Sequence, residues 1–575
     1  MRERFLPSKA ARRRGAFLSI SLGVLVVVGG LAQAGEDRAG LPPARREKQP
    51  PPVAQVAKDD LLRTLQRGEI TPAQYALQRA TSLFRLKQVR ARFGDVARPG
   101  PRDASVILRD LALRLADLSG TDRDRARRIL ARPTDGAADP FAQGYAVPEH
   151  SPPLCNANLC VHWVDTTLDA PPLADTTPLN GVPDWVETVQ VVLQQVWDVE
   201  VTQYGYRAPK SDATSPNNGG SALLDVYLAQ TGDAGIYGYC TTDDPNAPAT
   251  SGYPFYDMSA YCVLDNDFSA LEFPPPANGV IGLQVTAAHE FFHAIQAAYD
   301  FFEDLWMLEG TATWMEDEVF DDANDNYQYF AASALRQSTV PVDLGGFDFQ
   351  YGSWVFWRFL EEYFSDPANP AAGPAFIRRV WEWADGSPGA PDLYSSAAVE
   401  NAAHERSSRF RLAFADFGSA NFFPSAFYEE GASYPSPGAK RIKVGAGRPD
   451  TGWRKTSLLH LTNRYIMFTP GKGVTRKAKL AIDLDLPKSA QGSEATVIVM
   501  FKSGAVKFLP IGLSKAGDAF RRVTFNRKTV SGVVLVLTNA STSFDCWLLP
   551  PTPFSCAGLS KDDGRRFFYA ARLVQ

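Results

Sequence analysis

The sequence predicts an α+β protein in three stretches: a helical N-terminal segment, a mixed middle, and an all-β end. Leucines recur at helical spacing between Asp59 and about Arg132. From about residue 151 to 425, strand-like apolar runs alternate with amphipathic helical patterns, as when helices pack on a sheet. After Tyr434 the texture changes to short β-rich runs broken by turn formers. With 575 residues, several domains are expected, and 45% hydrophobic against 21% charged residues excludes wholesale disorder.

Taken in chain order, Arg2, Arg4, Lys9, Arg12, Arg13 and Arg14 form a basic head. Ala16–Leu31 is an apolar run, and Ala32-Gln33-Ala34 supplies small residues for cleavage, so residues 1–34 read as a signal peptide. The run falls short of the ~20 residues of a spanning helix. The mature chain is therefore expected to be secreted, extracellular or periplasmic, without a membrane partner. Residues 35–150 read as a flexible leader followed by a helical, propeptide-like segment. In it, Thr71-Pro72-Ala73-Gln74 fits a capping box with proline in the first turn. A permanent helical domain is the other reading; a propeptide is favoured because exported hydrolases often carry an N-terminal inhibitory segment. Turn formers at 133–155 mark a boundary.

The mixed stretch, 151–425, opens with strands at Leu159–Val164 and Leu224–Leu228 and a helix at Asp184–Val199. In the last stretch, 435–575, runs at 479–484, 495–501, 505–510, 522–525 and 533–537 predict a β-sandwich. The formal charge of −5, with no dominant basic tract, excludes a nucleic-acid binder. The six cysteines fall into three local pairs, Cys155/Cys160, Cys240/Cys262 and Cys546/Cys556. Export predicts disulfides between them, and no C-x-x-C pair favours a thiolate metal site.

Chemistry concentrates at Thr286-Ala-Ala-His289-Glu290-Phe-Phe-His293-Ala-Ile-Gln296. Residues four apart on a helix lie one above the other, so His289 and His293 can present two imidazoles to one ion. Glu290, one residue on, is placed to take a proton from a water at that ion. A catalytic zinc wants three protein ligands and one open position. Gln296 and Tyr299 stand where a metzincin would have glycine and histidine, so that class is excluded. The third ligand is instead expected at Glu309, an acidic residue inside the apolar run LWMLEGTATWM, where burial is costly unless the charge is paired or metal-bound. Asp304 can cap this helix. Glu303, Glu316 and Asp317 are weaker ligand candidates, and Thr313 and Glu316 are candidates to orient the histidines.

His289-Glu290-x-x-His293 followed by Trp306-x-x-Glu309-Gly310-x-Ala312 resembles the gluzincin metallopeptidases, which include thermolysin-like and aminopeptidase N-like enzymes, and more nearly a group of secreted bacterial proteins of that class. The resemblance covers residues 155–420. It implies a zincin-like catalytic domain, a Zn²⁺ cofactor, a peptide or protein substrate, and hydrolysis by a metal-activated water with Glu290 as general base. In aminopeptidase-like members a tyrosine opening a downstream helix donates to the oxyanion; carried over, that residue is Tyr351 of Tyr351-Gly-Ser-Trp-Val-Phe-Trp, with Tyr327 and Tyr329 as rivals. The strand-like run Ser259–Asp267 is a candidate for binding substrate backbone by strand addition. His150, His162, His404 and His460 read as structural.

Calcium is a secondary candidate cofactor, at Asp175, Asn180, Asp184 and Glu187 or in the acidic run Glu316–Asp325. An Asn-Gly turn explains the first group better, and a solvated charge run the second. Two rivals to a peptidase remain: a catalytically inactive secreted binding or adhesion protein, and a metal hydrolase acting on non-peptide bonds.

Overall fold

The computed structural model describes residues 59–574 apart from 136–143, 216, 245–253, 347, 367 and 550. The predicted signal peptide and flexible leader lie outside the described residues. The chain is mixed α/β, and no helix among the described residues is long and apolar enough to cross a membrane. It divides into two compact units, one of residues 52–417 with 542–561, the other containing 418–541 and 562–575.

In the first unit the N-terminal helices are α1 (Asp60–Gln66), α2 (Pro72–Phe93), α3 (Ala104–Leu113) and α4 (Gly120–Ile129). The capping box at Thr71 and Gln74 is formed. These helices belong to the same compact unit as the sheet and helices that follow.

The sheet has five strands, β1 (Leu154–Cys155), β2 (Leu159–His162), β3 (Leu224–Ala229), β4 (Gly238–Thr241) and β5 (Tyr261–Asp265), in the order β1-β2-β3-β5-β4. The central strands β2, β3 and β5 run parallel, and β4 lies antiparallel to β5 at one edge. β2, β3 and β5 are buried at every position, which is why they read as near-continuous apolar runs. Disulfides Cys155–Cys160 and Cys240–Cys262 cross the β1/β2 and β4/β5 ladders and tie both edge strands to their neighbours. The run 259–267 supplies β5, which is paired on both sides; it has no free edge to offer a substrate strand, contrary to expectation. That edge belongs to β4.

Helix α5 (Asp184–Trp197) packs on β2 and on α6 (Gly279–Tyr299). Helix α6 lies against β4 and β5 and is buried from Gly282 to Tyr299, apart from a partly buried Gln284. Helix α7 (Leu305–Val319) packs on α6, on the single turn α8 (Phe349–Gly352) and on α9 (Trp354–Phe364). The close approach of α7 and α9 requires Gly310: a Cβ there would lie 2.5 Å from Trp357 Nε1 and collide with Ser353 Oγ as well. Helices α10 (Ala372–Ala384) and α11 (Ser396–Glu405) follow.

The second unit holds β6 (Lys440–Val444), β7 (Arg454–Leu458), β8 (Thr462–Pro470), β9 (Lys479–Asp485), β10 (Ser493–Phe501), β11 (Val506–Ile511), β12 (Asp518–Thr524) and β13 (Val530–Asn539). The chain then contributes a hairpin, β14 (Phe544–Asp545) and β15 (Leu559–Ser560), to the first unit before returning as β16 (Arg565–Val574). The expected 435–575 stretch is thus interrupted by residues 542–561, and Cys546–Cys556 closes that excursion. A five-stranded sheet, β11-β10-β13-β8-β6, and a four-stranded sheet, β12-β9-β16-β7, contribute Val497, Leu535 and Ile466 on one side and Ile482, Phe567 and Tyr569 on the other to one apolar core.

Candidate metal centre

The centre forms where α6 and α7 pack together. Ala287, Ala288, Phe291, Phe292 and Ala294 are buried on the same helix, and both histidines face Glu309 of α7. His289 and His293, one turn apart, bring their Nε2 atoms within 3.1 Å. Glu309 Oε2 lies 3.2 Å from His289 Nε2 and 3.8 Å from His293 Nε2. His289, His293 and Glu309 therefore converge, and all are buried.

The outer nitrogens fix the tautomers. His289 Nδ1–H donates to Glu316 Oε1 at 2.7 Å, and His293 Nδ1–H donates to Gln296 Oε1 at 2.7 Å. The amide of Gln296 is oriented in turn, because its Nε2 donates to Leu308 O at 2.9 Å and Thr311 Oγ1 at 3.0 Å. Both Nε2 lone pairs then point at one another and at a carboxylate. Three acceptor atoms held this close, away from water, repel unless a proton or a metal cation lies among them. A tetrahedral ion with bonds of about 2.0–2.1 Å holds its ligands about 3.3 Å apart, near the spacings here. Burial pushes both imidazoles well below the usual histidine range and keeps them in the neutral, ligating form. Burial, and then the charge of Glu290, pushes Glu309 well above the usual carboxylate range; a divalent cation would reverse that. Glu309 Oε1 is buried without a hydrogen-bond partner among the described residues. These residues fit a small divalent metal.

Glu290 stands beside this cradle. Its Oε2 accepts from Ser105 Oγ at 2.7 Å, while its Oε1 is buried with no hydrogen-bond partner among the described residues. Burial pushes its pKa up to about 7. The Tyr351 ring lies 6.2 Å from that of His289 and stacks on Tyr329, and its hydroxyl donates to Asp103 Oδ1 at 2.9 Å. Tyr327 packs on Phe330 instead.

Of the weaker candidates, Glu316 orients His289, as one reading had it. Thr313 Oγ1 is buried with no hydrogen-bond partner among the described residues. Glu303 accepts from Ser395 N, and Asp317 pairs with Arg358, so neither faces the centre. Asp304 stands at the N-cap of α7, but its carboxylate accepts from Cys556 N and Tyr394 Oη instead of capping. The acidic run Glu316–Asp325 is not the solvated charge run expected. Glu316, Asp317 and Asp325 are buried against Arg102 and Arg358, and only part of the run, including Asp321 and Asp322, is exposed. At the other calcium candidate, Asp175 accepts from Asn180 N and Gly181 N, Asp184 from Thr176 and Thr177, and Glu187 from Asn180 Nδ2: a turn network. His162 is held between Glu149 and Asp225, His150 by Asp165 and His460 by Asp563.

Residues 102–105 escaped the sequence reading and carry no signal in it. Gln296 carried one, since it sits one turn beyond His293 on the same helix.

No protein-family model matches the chain, and no curated protein matches it. Among solved structures the chain is similar to a family GH115 4-O-methyl-α-glucuronidase with specificity for decorated arabinogalactans, at 12% identity and a TM-score of 0.13. The match covers 52% of this chain and 38% of that one, and a likeness this slight carries no argument about fold or activity.

Proposed function

We propose that the chain is an exported zinc-dependent metallopeptidase of the gluzincin class, with a zincin-like catalytic domain and a C-terminal β-sandwich. The observation that carries this reading is the buried convergence of His289 Nε2, His293 Nε2 and Glu309 Oε2 within 3.1–3.8 Å. The two sheets that share one core support the sandwich. Three disulfides support folding in an oxidising compartment.

His289, His293 and Glu309 would hold the ion, and Glu316 and Gln296 would fix the imidazoles. Zinc bound there would supply Lewis acidity, polarising a carbonyl and drawing the pKa of a water towards about 7. Glu290, buried beside the cradle with Oε1 free of any hydrogen bond among the described residues, takes the proton of the attacking water and returns it to the departing amine. The carbonyl carbon gains the water oxygen, the carbon–nitrogen bond breaks, and no other reactant is needed. Tyr351 donates its hydroxyl hydrogen bond to the carbonyl oxygen as negative charge develops there.

The test is zinc content and casein or peptide hydrolysis by wild type and Glu290→Gln, before and after limited proteolysis. About one zinc per chain is expected in both proteins, with turnover in wild type alone. Equal hydrolysis by the two would remove Glu290 as the base. Zinc without hydrolysis in any form would favour the binding protein.

A further inference from the structure

Resting on the peptidase reading, a second feature of the site has its own meaning. His289, Glu290 and Glu309 are at most 1% exposed and His293 is 8% exposed, so no polypeptide can reach them in this state. The space beside His293, lined in part by Ser105, Val106, Arg109 and Cys240, is about 20 Å³, room for about one water.

The seal is the start of α3. Ser105 Oγ donates to Glu290 Oε2 at 2.7 Å and accepts from Cys240 N at 2.9 Å. Cys240 lies on β4, the edge strand, so Ser105 takes a backbone donor at that strand. Asp103 Oδ1 accepts from Tyr351 Oη at 2.9 Å and from Gln350 Nε2 at 3.1 Å. Arg102 donates to Glu316 at 2.7 Å and to Asp325 at 2.6 Å, and Glu316 is the partner of His289. Three neighbouring residues thus occupy the proposed base, the proposed oxyanion donor and the carboxylate behind a histidine ligand. Buried Val106, Ile107, Leu108 and Leu111 anchor the helix behind them. The whole device lies upstream of every strand of the sheet, and α3 is joined to α4 through an exposed stretch at Ala116, Asp117, Ser119 and Gly120. It can be cut away there without breaking a strand.

We propose that the segment entering α3, Arg102–Ser105, is an autoinhibitory plug that keeps the centre latent until the N-terminal segment is severed and released. While it is docked, the fraction of chain competent to exchange metal or admit substrate is small.

The test uses the full chain with the recognition sequence of a site-specific endopeptidase inserted between Ser119 and Gly120, loaded with zinc. Removal of zinc by a chelator is followed spectroscopically, alongside peptide hydrolysis. The uncut chain is expected to release zinc slowly and hydrolyse nothing. Cutting accelerates release by about tenfold or more and starts turnover. A synthetic peptide of residues 98–115 reverses both effects, and Glu290→Gln abolishes turnover alone. Arg102→Ala in the uncut chain, with its fold checked by circular dichroism, also speeds zinc release. An uncut chain that hydrolyses as fast as the cut one overturns the plug. So does zinc release unchanged by both the cut and Arg102→Ala. Fast, peptide-reversible zinc exchange without hydrolysis in the cut chain would keep the occlusion and overturn the peptidase reading.

Discussion

Helix α6 and strand β13 are both buried along almost their whole length, yet they fill their interiors differently. In β13, Val533, Leu535 and Leu537 enter the core between the two sheets, and Val534 and Val536 join a second apolar cluster with Tyr465 and Ile498. In α6, the apolar residues enclose His289, Glu290, His293 and Gln296, and the facing helix adds Glu309 and Glu316. Apolar burial stabilises in proportion to area and asks little of geometry. Buried polar groups cost free energy unless each is matched, so they persist where a partner or an ion uses them. The first unit spends stability on a site; in the second, the buried polar residues at the end of β13 are matched within the protein, Thr538 by Asn463 and Asn539 by the Asp562 carbonyl.

The largest expected difference between these regions lies in metal affinity. Glu309→Ala removes a ligand and is expected to weaken zinc binding by more than the ~100-fold ceiling of outer-shell changes, measured by competition with a chelating dye. Leu535→Ala in β13 is expected to destabilise the chain by about 2–5 kcal/mol in a denaturant titration and to leave zinc affinity unchanged. Equal effects of both substitutions on zinc affinity would erase the distinction. A smaller effect is expected from Gln296→Ala, which frees His293 Nδ1 and should cost about tenfold in zinc affinity.

The last prediction concerns pH. In metal-free protein, burial raises Glu290 and Glu316 to about 7, above their unfolded range near 4.5. Through these two groups the folded chain binds more protons than the unfolded chain between those values, a contribution to stability that is lost as pH rises from about 4.5 to about 7; His289 and His293, held neutral by burial, contribute the opposite slope below about 6.5. Thermal melts of the chelator-treated chain across that window check the sign. Glu290→Gln combined with Glu316→Gln should remove their share of the slope and leave that of the other buried carboxyls, Asp265 and Glu318 among them.

What could be read beforehand divides along the same line. The histidine pair followed from a spacing of four on one helix, and Glu309 from an acid inside an apolar run; both are local signals. Of the anticipated runs of the second unit, 479–484 and 533–537 lie in largely buried strands and 505–510 and 522–525 in half-exposed ones, while the largely buried Thr462–Pro470 was missed. Lys440–Val444 and Arg454–Leu458 were missed as well, because exposed lysines, arginines and serines interrupt them. Strand order is a long-range property, so nothing local distinguished β5, paired on both sides, from the edge strand β4. The contact between Ser105 and Glu290 joins residues 185 positions apart. The acidic run at Glu316–Asp325 looked solvated because its neutralising partners, Arg102 and Arg358, lie elsewhere in the chain.

The central claim is that three side chains from two helices share one divalent ion. Crystals of the zinc-loaded chain, with data collected on both sides of the zinc absorption edge, test it most directly. The account predicts one anomalous peak bonded to His289 Nε2, His293 Nε2 and Glu309 Oε2 at about 2.0–2.2 Å. A zinc-saturated crystal with no peak there, or with Glu309 turned away from an ion on the histidines, would contradict it.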